Sequence, residues 1–205
     1  MNFSLHPYAR FYDFTIERLV RSVRRSAGSM AKPSPVLDIC CGTGVQTRHI
    51  VDRGGEVAGL DLDDRVLRYA RLKYRSLPFV QGDAGLLPFR SGIFGAAVIS
   101  FALHDKPPDF RSTMIAEVKR VLKPAGNVVL VDFENAWDRK SRWGGRLTHL
   151  IERMAGGEHY RNGRQFLLEG GLQAFIPKNG LVEMERRWVA AGCLAVVSCR
   201  FARHA

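Results

Sequence analysis

The stretch VLDICCGTG, Val36 to Gly44, with the residues that follow it, decides the fold. Val36 to Cys40 reads as a strand, Cys41 to Gly44 as a glycine turn, and Val45 to Asp52 as a helix that Gly54 and Gly55 end. The pattern then repeats. Val57 to Leu60 is a second strand, Asp63 to Tyr74 a second helix, and Pro78 to Val80 a short strand. Phe94 to Phe101 is a continuous apolar run, as expected of a strand covered on both faces. Phe110 to Leu122 reads as a helix, with Met114, Ile115, Val118, Val121 and Leu122 at helical spacing. Pro124-Ala125-Gly126 marks a turn, and Asn127 to Asp132 another buried strand. Strands alternating with helices predict an α/β fold with a mainly parallel sheet and right-handed crossovers.

Outward from this block the chain changes character. Residues 8 to 25 read as an amphipathic helix, with Phe11, Phe14, Ile16, Leu19, Val20 and Val23 set among arginines. Gly28 to Pro35 reads as a breaker-rich linker. After Phe133 the alternation stops, and residues 134–180 read as mostly helical, rich in arginine and glycine. Two apolar-leaning runs close the chain, Leu181 to Val189 and Cys193 to Phe201, with Ala191-Gly192 suited to a tight hairpin. The expectation is one domain over 1–205, with an N-terminal cap helix in 1–30 and a helical insertion in 134–180 that contributes to the acceptor pocket.

Composition sets limits. Apolar residues make up 46% and charged residues 25%, as in globular proteins. The longest apolar run, Ile93 to Leu103, is too short to span a bilayer, and the N-terminus lacks a signal-peptide layout, so a cytoplasmic location is expected. The four cysteines form no C-x-x-C pair or Cys/His cluster, so no metal site is expected and the thiols read as reduced. The net charge of +11, mostly arginine, attracts anions and raises a nucleic-acid partner as an alternative. The charges are dispersed rather than gathered in a polybasic tail, which favours a generally solvated basic surface.

In open parallel sheets ligands bind beyond the carboxyl ends of the strands. After the first strand stand Asp38, Cys40, Gly42 and Gly44, where glycines permit a sharp turn and close approach of a ligand. After the second stands Asp61, placed to accept bonds from ribose hydroxyls; as an alternative it caps a helix, a role Asp63 already fits. After the third stand Asp83 and Ala84, placed to bond an adenine edge, or simply to form a turn. The nicotinamide fingerprint G-x-G-x-x-G is not met, because Thr47 stands where its third glycine belongs.

The segments VLDICCGTG (36–44), VAGLDLDDRVLRYAR (57–71), QGDAGLLPF (81–89), FGAAVISFALHD (94–105) and EVKRVLKPAGNVVLVDF (117–133) together resemble the class I S-adenosylmethionine-dependent methyltransferases. The likeness is nearest to the branch that includes quinone-biosynthesis methyltransferases. It implies a Rossmann-like open sheet of seven strands in the order 3-2-1-4-5-7-6, the last antiparallel. It also implies that S-adenosylmethionine is the cofactor and S-adenosylhomocysteine the product. Asp38, Cys40, Gly42 and Gly44 would then frame the methionine moiety, Asp61 and Leu62 the ribose side, and Asp83 with Ala84 the adenine. Ser100 and Phe101 would line the pocket. Cys40 departs from the family, which often has glycine there.

The reaction needs an acceptor aligned with the methyl group and, where the acceptor must lose a proton, a base. His104, just past the fourth strand, is the candidate for a general base or an acceptor-orienting residue. Tyr8 and Tyr12 in the first helix, and His159, Tyr160 and Arg161 in the insertion, are candidates to contact the acceptor, with Arg164 beside them. The favoured function is methyl transfer to a small molecule. The alternatives are an RNA methyltransferase or binder, although no Asn/Asp-Pro-Pro-Tyr loop is present, and a cofactor-binding regulatory protein without turnover.

Overall fold

A computed structural model describes residues 20–134, 157–189 and 192–202, and of 157–159 the backbone alone. The described chain opens in a helix, α1, over residues 20–30. Then follow β1 (Val36–Ile39), α2 (Val45–Val51), β2 (Val57–Asp61), α3 (Asp64–Lys73), β3 (Phe79–Gln81), β4 (Phe94–Ser100), α4 (Pro108–Val121) and β5 (Leu122–Phe133). Two helices, α5 (Gly157–Leu168) and α6 (Gly171–Lys178), precede β6 (Leu181–Val189) and β7 (Leu194–Phe201). The seven strands form one sheet in the order β3-β2-β1-β4-β5-β7-β6. Neighbours from β3 to β5 run parallel, and β7 is antiparallel to both β5 and β6. The sheet is the one the resemblance implies.

Residue parity along the strands explains the layering. Val36, Val57, Ala96, Val98, Val129 and Val131 pack with Val20, Val23 and Ala27 of α1 and Ile50 of α2. Leu37, Ile39, Leu60, Ala97, Ile99, Val128 and Leu130 pack on the other side with Met114, Ile115, Val118 and Val121 of α4 and with Phe166, Leu172 and Phe175. Each large apolar side chain so covered contributes about 1.5–3 kcal/mol relative to exposure. Both faces being covered is why β4 reads as an unbroken apolar run. Asp63 caps α3, its carboxylate accepting from the Arg65 N–H at 2.8 Å.

Two local expectations are corrected. Gly28 does not break the first helix, which continues to residue 30. A Cβ at Gly28 would lie 3.1 Å from the His49 carbonyl oxygen, so this glycine lets α1 approach α2. Pro124 to Gly126 is not a turn before a strand but part of an arch within β5, exposed at Lys123 to Ala125 and buried again at Gly126: Phe94 pairs with Leu122 and Ala96 with Asn127, leaving the intervening residues outside the ladder. The expected Ala191-Gly192 hairpin lies partly outside the described residues. So does most of the stretch 8–25, and residues 135–156 of the insertion.

Candidate cofactor and acceptor site

The strand ends carry the site. A cavity of about 260 Å³ opens where β1 and β4 end, lined by Asp38, Cys40, Gly42, Ser100 and Phe101 among the expected residues. Arg24 of α1 and Gln46 of α2 complete its polar wall. Asp38 shares the parity of Val36 and so faces the α1–α2 side. It is buried, and its Oδ2 accepts from the Thr47 hydroxyl at 2.6 Å. Burial pushes the Asp38 carboxyl up to about 7, against the Thr47 bond and the charge of Arg24; Asp61 adds to the rise. Burial likewise pushes the Cys40 thiol up to about 12, so Cys40 is a neutral wall of the cavity rather than a nucleophile.

Backbone conformation shapes the loop. Cys40 and Phe101 both hold φ of 56°, the left-handed region that non-glycine residues rarely adopt, and both line the cavity. Gly42 has φ 53° and no heavy atom within 4 Å of its would-be Cβ, so its open side is compatible with a ligand. Gly44 differs: at φ 78° its Cβ would meet Phe79 Cζ at 2.6 Å. Gly44 is therefore required by packing against β3.

Asp61 fixes the loop to β2. Its Oδ2 accepts from the Gly42 N–H at 2.8 Å and its Oδ1 from the Asp63 N–H at 3.0 Å. Leu62 beside it is 67% exposed, an apolar side chain left at the strand tip. Asp83 is exposed, and its Oδ1 accepts from the Gly85 N–H at 2.7 Å in a tight local turn, while Ala84 is buried. Asp61 and Asp83 stand at the ends of the paired strands β2 and β3.

His104 belongs to a different environment. It is 6% exposed and is not among the described residues lining the cavity. Its Nδ1 lies 2.6 Å from Oδ1 of Asp132, which sequence reading passed over. Asp132 sits at the end of β5 with the parity of Leu130, facing the α4 side. Its Oδ2 accepts from the N–H groups of Leu103 and His104, and its Oδ1 from that of Phe133. Asp132 therefore holds both the loop after β4 and the His104 ring in place. The ring packs on Phe133 at 4.4 Å between centroids.

Arg111, also unmarked in the sequence, ties this loop to α5. It is 1% exposed, and its Nε donates to the Leu103 carbonyl at 2.8 Å, Nη1 to Glu169 at 3.0 Å and Nη2 to the Asn162 carbonyl at 3.1 Å. Asn162 in turn donates to the Asp105 carbonyl at 2.9 Å. Beyond β5, buried Glu134 binds Arg186 of β6 and accepts from the Gln173 backbone in the first turn of α6. Of the expected acceptor contacts, Tyr160 is half-buried and Arg161 exposed on α5, and neither lines the cavity. Tyr8, Tyr12 and the His159 side chain lie outside the described residues.

This strand order is that of a Rossmann-like open α/β sheet, which solved methyltransferases share. Superposition agrees: a glycopeptide N-methyltransferase solved with S-adenosylmethionine aligns at a TM-score of 0.67 and 17% identity, covering 89% of this chain and 87% of that one. The methyltransferase-domain family model matches residues 36–126. An uncharacterized methyltransferase of Synechocystis is 35% identical over 134 residues, 65% of this chain and 57% of the relative. A demethylmenaquinone methyltransferase of Lactococcus lactis is 38% identical over 105 residues, 47% of this chain and 41% of the relative. The chain spans about half the length of these curated relatives. Residues 36–126 thus resemble a methyltransferase domain, and about half of the chain is similar to a demethylmenaquinone methyltransferase.

Proposed function

We propose that the protein transfers a methyl group from S-adenosylmethionine to a small-molecule acceptor. The observation that carries this reading is the cavity at the tips of β1 and β4, beside the Asp61-bound glycine loop. Two polar atoms in its wall, Ser100 Oγ and Gln46 Oε1, are buried without a hydrogen-bond partner among the described residues. Buried polar atoms are costly unless paired, so they fit a polar ligand.

When bound, the cofactor supplies an electrophilic methyl group on a sulfonium. Asp38, with Gly42 and Ser100, would hold the amino-acid end of the cofactor. Asp61 would accept from the ribose, Leu62 would cover the nucleoside, and Asp83 with Ala84 would bond the adenine. Asp61 already holds the Gly42 N–H, so one carboxylate would position both the ribose and methionine subsites. Cys40 and Phe101 would bound the pocket where the acceptor approaches. Holding the reactants in line supplies roughly 7–11 kcal/mol of the barrier reduction. His104, oriented by Asp132, would take a proton from the acceptor at Nε2, a contribution of typically about 10²- to 10⁴-fold. Tyr160 and Arg161, with Tyr8, Tyr12 and His159, would contact the acceptor in a single domain that uses its N-terminal helix and insertion as the cover.

The demethylmenaquinone methyltransferase relatives support a quinol-like or other phenolic acceptor, and a cytoplasmic location goes with that reading. The test is transfer of labelled methyl from S-adenosylmethionine into a metabolite extract, with an RNA fraction as a parallel arm. Label in a small aromatic product is expected. Label entering RNA instead, resistant to competing metabolites and lost steeply with salt, contradicts the reading.

A further inference from the structure

We propose that Arg24 is the cation that receives the cofactor's carboxylate, so that Arg24 and Asp38 together recognise its amino-acid end as a zwitterion. The inference rests on the cofactor reading above. It adds a residue that lies before the matched segment 36–126, on a helix rather than a strand tip.

The seating of α1 aims this side chain. Val20, Val23 and Ala27 are buried against the sheet, and Arg24 lies on the helix between them, half-buried and lining the cavity. Gln46 Nε2 donates to the Arg24 carbonyl at 3.2 Å, which fastens this turn of α1 to α2. The guanidinium carbon stands 6.0 Å from the Phe101 ring centroid, at the β4 side of the cavity. Among the described lining residues there is one anionic side chain, Asp38, and one cationic, Arg24. An α-amino acid carries one charge of each sign, and the wall answers it with the opposite pair. The buried Ser100 Oγ and Gln46 Oε1 in the same wall are a second, independent sign of a polar occupant. Arginine suits the task because its planar fork pairs both oxygens of a carboxylate.

The rival explanation is that Arg24 serves only as a counter-ion for Asp38. The two separate when one ligand keeps the amine and lacks the carboxylate. Calorimetry compares S-adenosylhomocysteine with its decarboxylated analogue at about pH 8.5, where Asp38 is ionised. Wild type is expected to prefer S-adenosylhomocysteine by about 10- to 100-fold, the worth of a charge-assisted pair. Arg24→Gln is expected to erase that preference by weakening S-adenosylhomocysteine alone, and Arg24→Lys to restore part of it. Undiminished binding of the decarboxylated analogue shows that the variant is folded. A preference that survives in Arg24→Gln, or equal weakening of both ligands, overturns the inference and leaves the cofactor reading standing. Wild type that binds neither ligand overturns both.

Discussion

Replacing Asp38 by Asn should make the ligand-free protein more stable at neutral pH, and by an amount that grows with pH. Asp38 is 1% exposed, and its folded pKa of about 7 lies above the ordinary 3.8. Between those values the folded chain binds a proton that the unfolded chain has released. Stability from this group is therefore complete below the unfolded value and is lost as pH rises toward the folded one. A shift from 3.8 to about 7, at 1.36 kcal/mol per unit, makes the loss at most about 4 kcal/mol. Asn stays neutral, keeps an oxygen for the Thr47 hydroxyl, and escapes the penalty. Urea unfolding of both proteins at several pH values between about 4 and 8 measures the difference, which cancels every other titrating group. The variant should match wild type near the acid end and exceed it by a few kcal/mol at the other, about 4 at most. A difference that stays flat, or that favours wild type as pH rises, refutes the assignment of a buried, destabilised carboxylate. The excess stability would come with weaker cofactor binding, a trade expected where a strained or charged group serves a ligand.

Further outcomes follow from the same geometry. Gly44→Ala, at φ 78° and with its Cβ 2.6 Å from Phe79, should lower stability by about 1–3 kcal/mol in thermal or urea unfolding. Cys40→Val should cost about 1–2 kcal/mol, because a β-branched residue is poorly accommodated at φ 56°, whereas Cys40→Gly should remain within about 1 kcal/mol of wild type. Arg111→Met should cost about 2–4 kcal/mol and speed hydrogen exchange at Leu103 to Asp105; Arg111→Lys should recover little, since an ammonium cannot span its three partners. In a labelled-methyl assay, Asp132→Asn should lower turnover about 10-fold or more and alter its pH profile, with cofactor affinity unchanged. An unchanged profile would limit the His104–Asp132 pair to holding the loop.

The sheet was legible because its signals are local. Each strand from β1 to β5 carries a short apolar run, and Asp38, Asp61 and Asp83 stand at or just past the ends of the first three, where topology alone marks them. Parity then placed Asp38 beside α1 once the structure showed which face α1 covers. What stayed hidden depends on partners distant in the chain. Gly28 looks like a helix breaker until His49 is seen beneath it. Arg24 is one of many arginines on an amphipathic helix, and only the rotation set by Val20, Val23 and Ala27 separates it from its solvated neighbours. Asp132 ends an apolar strand as Asp38 does, yet its meaning lies in the loop after β4. Arg111 reads as the polar face of a helix, but α5 and Glu169 enclose it. His104 stands out in the sequence by its chemistry, while its burial away from the cavity is a property of packing that no local pattern carries.

The central claim is that the strand tips grip one adenosylated ligand, with Asp61 as the pivot. Titration of S-adenosylhomocysteine into wild type and Asp61→Ala, followed by calorimetry, tests it most directly. The account predicts saturable one-to-one binding by wild type and a loss of about 100-fold or more in the variant, because both the ribose acceptor and the anchor of the Gly42 N–H are removed. Equal affinity in the two proteins, or no binding by wild type, would contradict it.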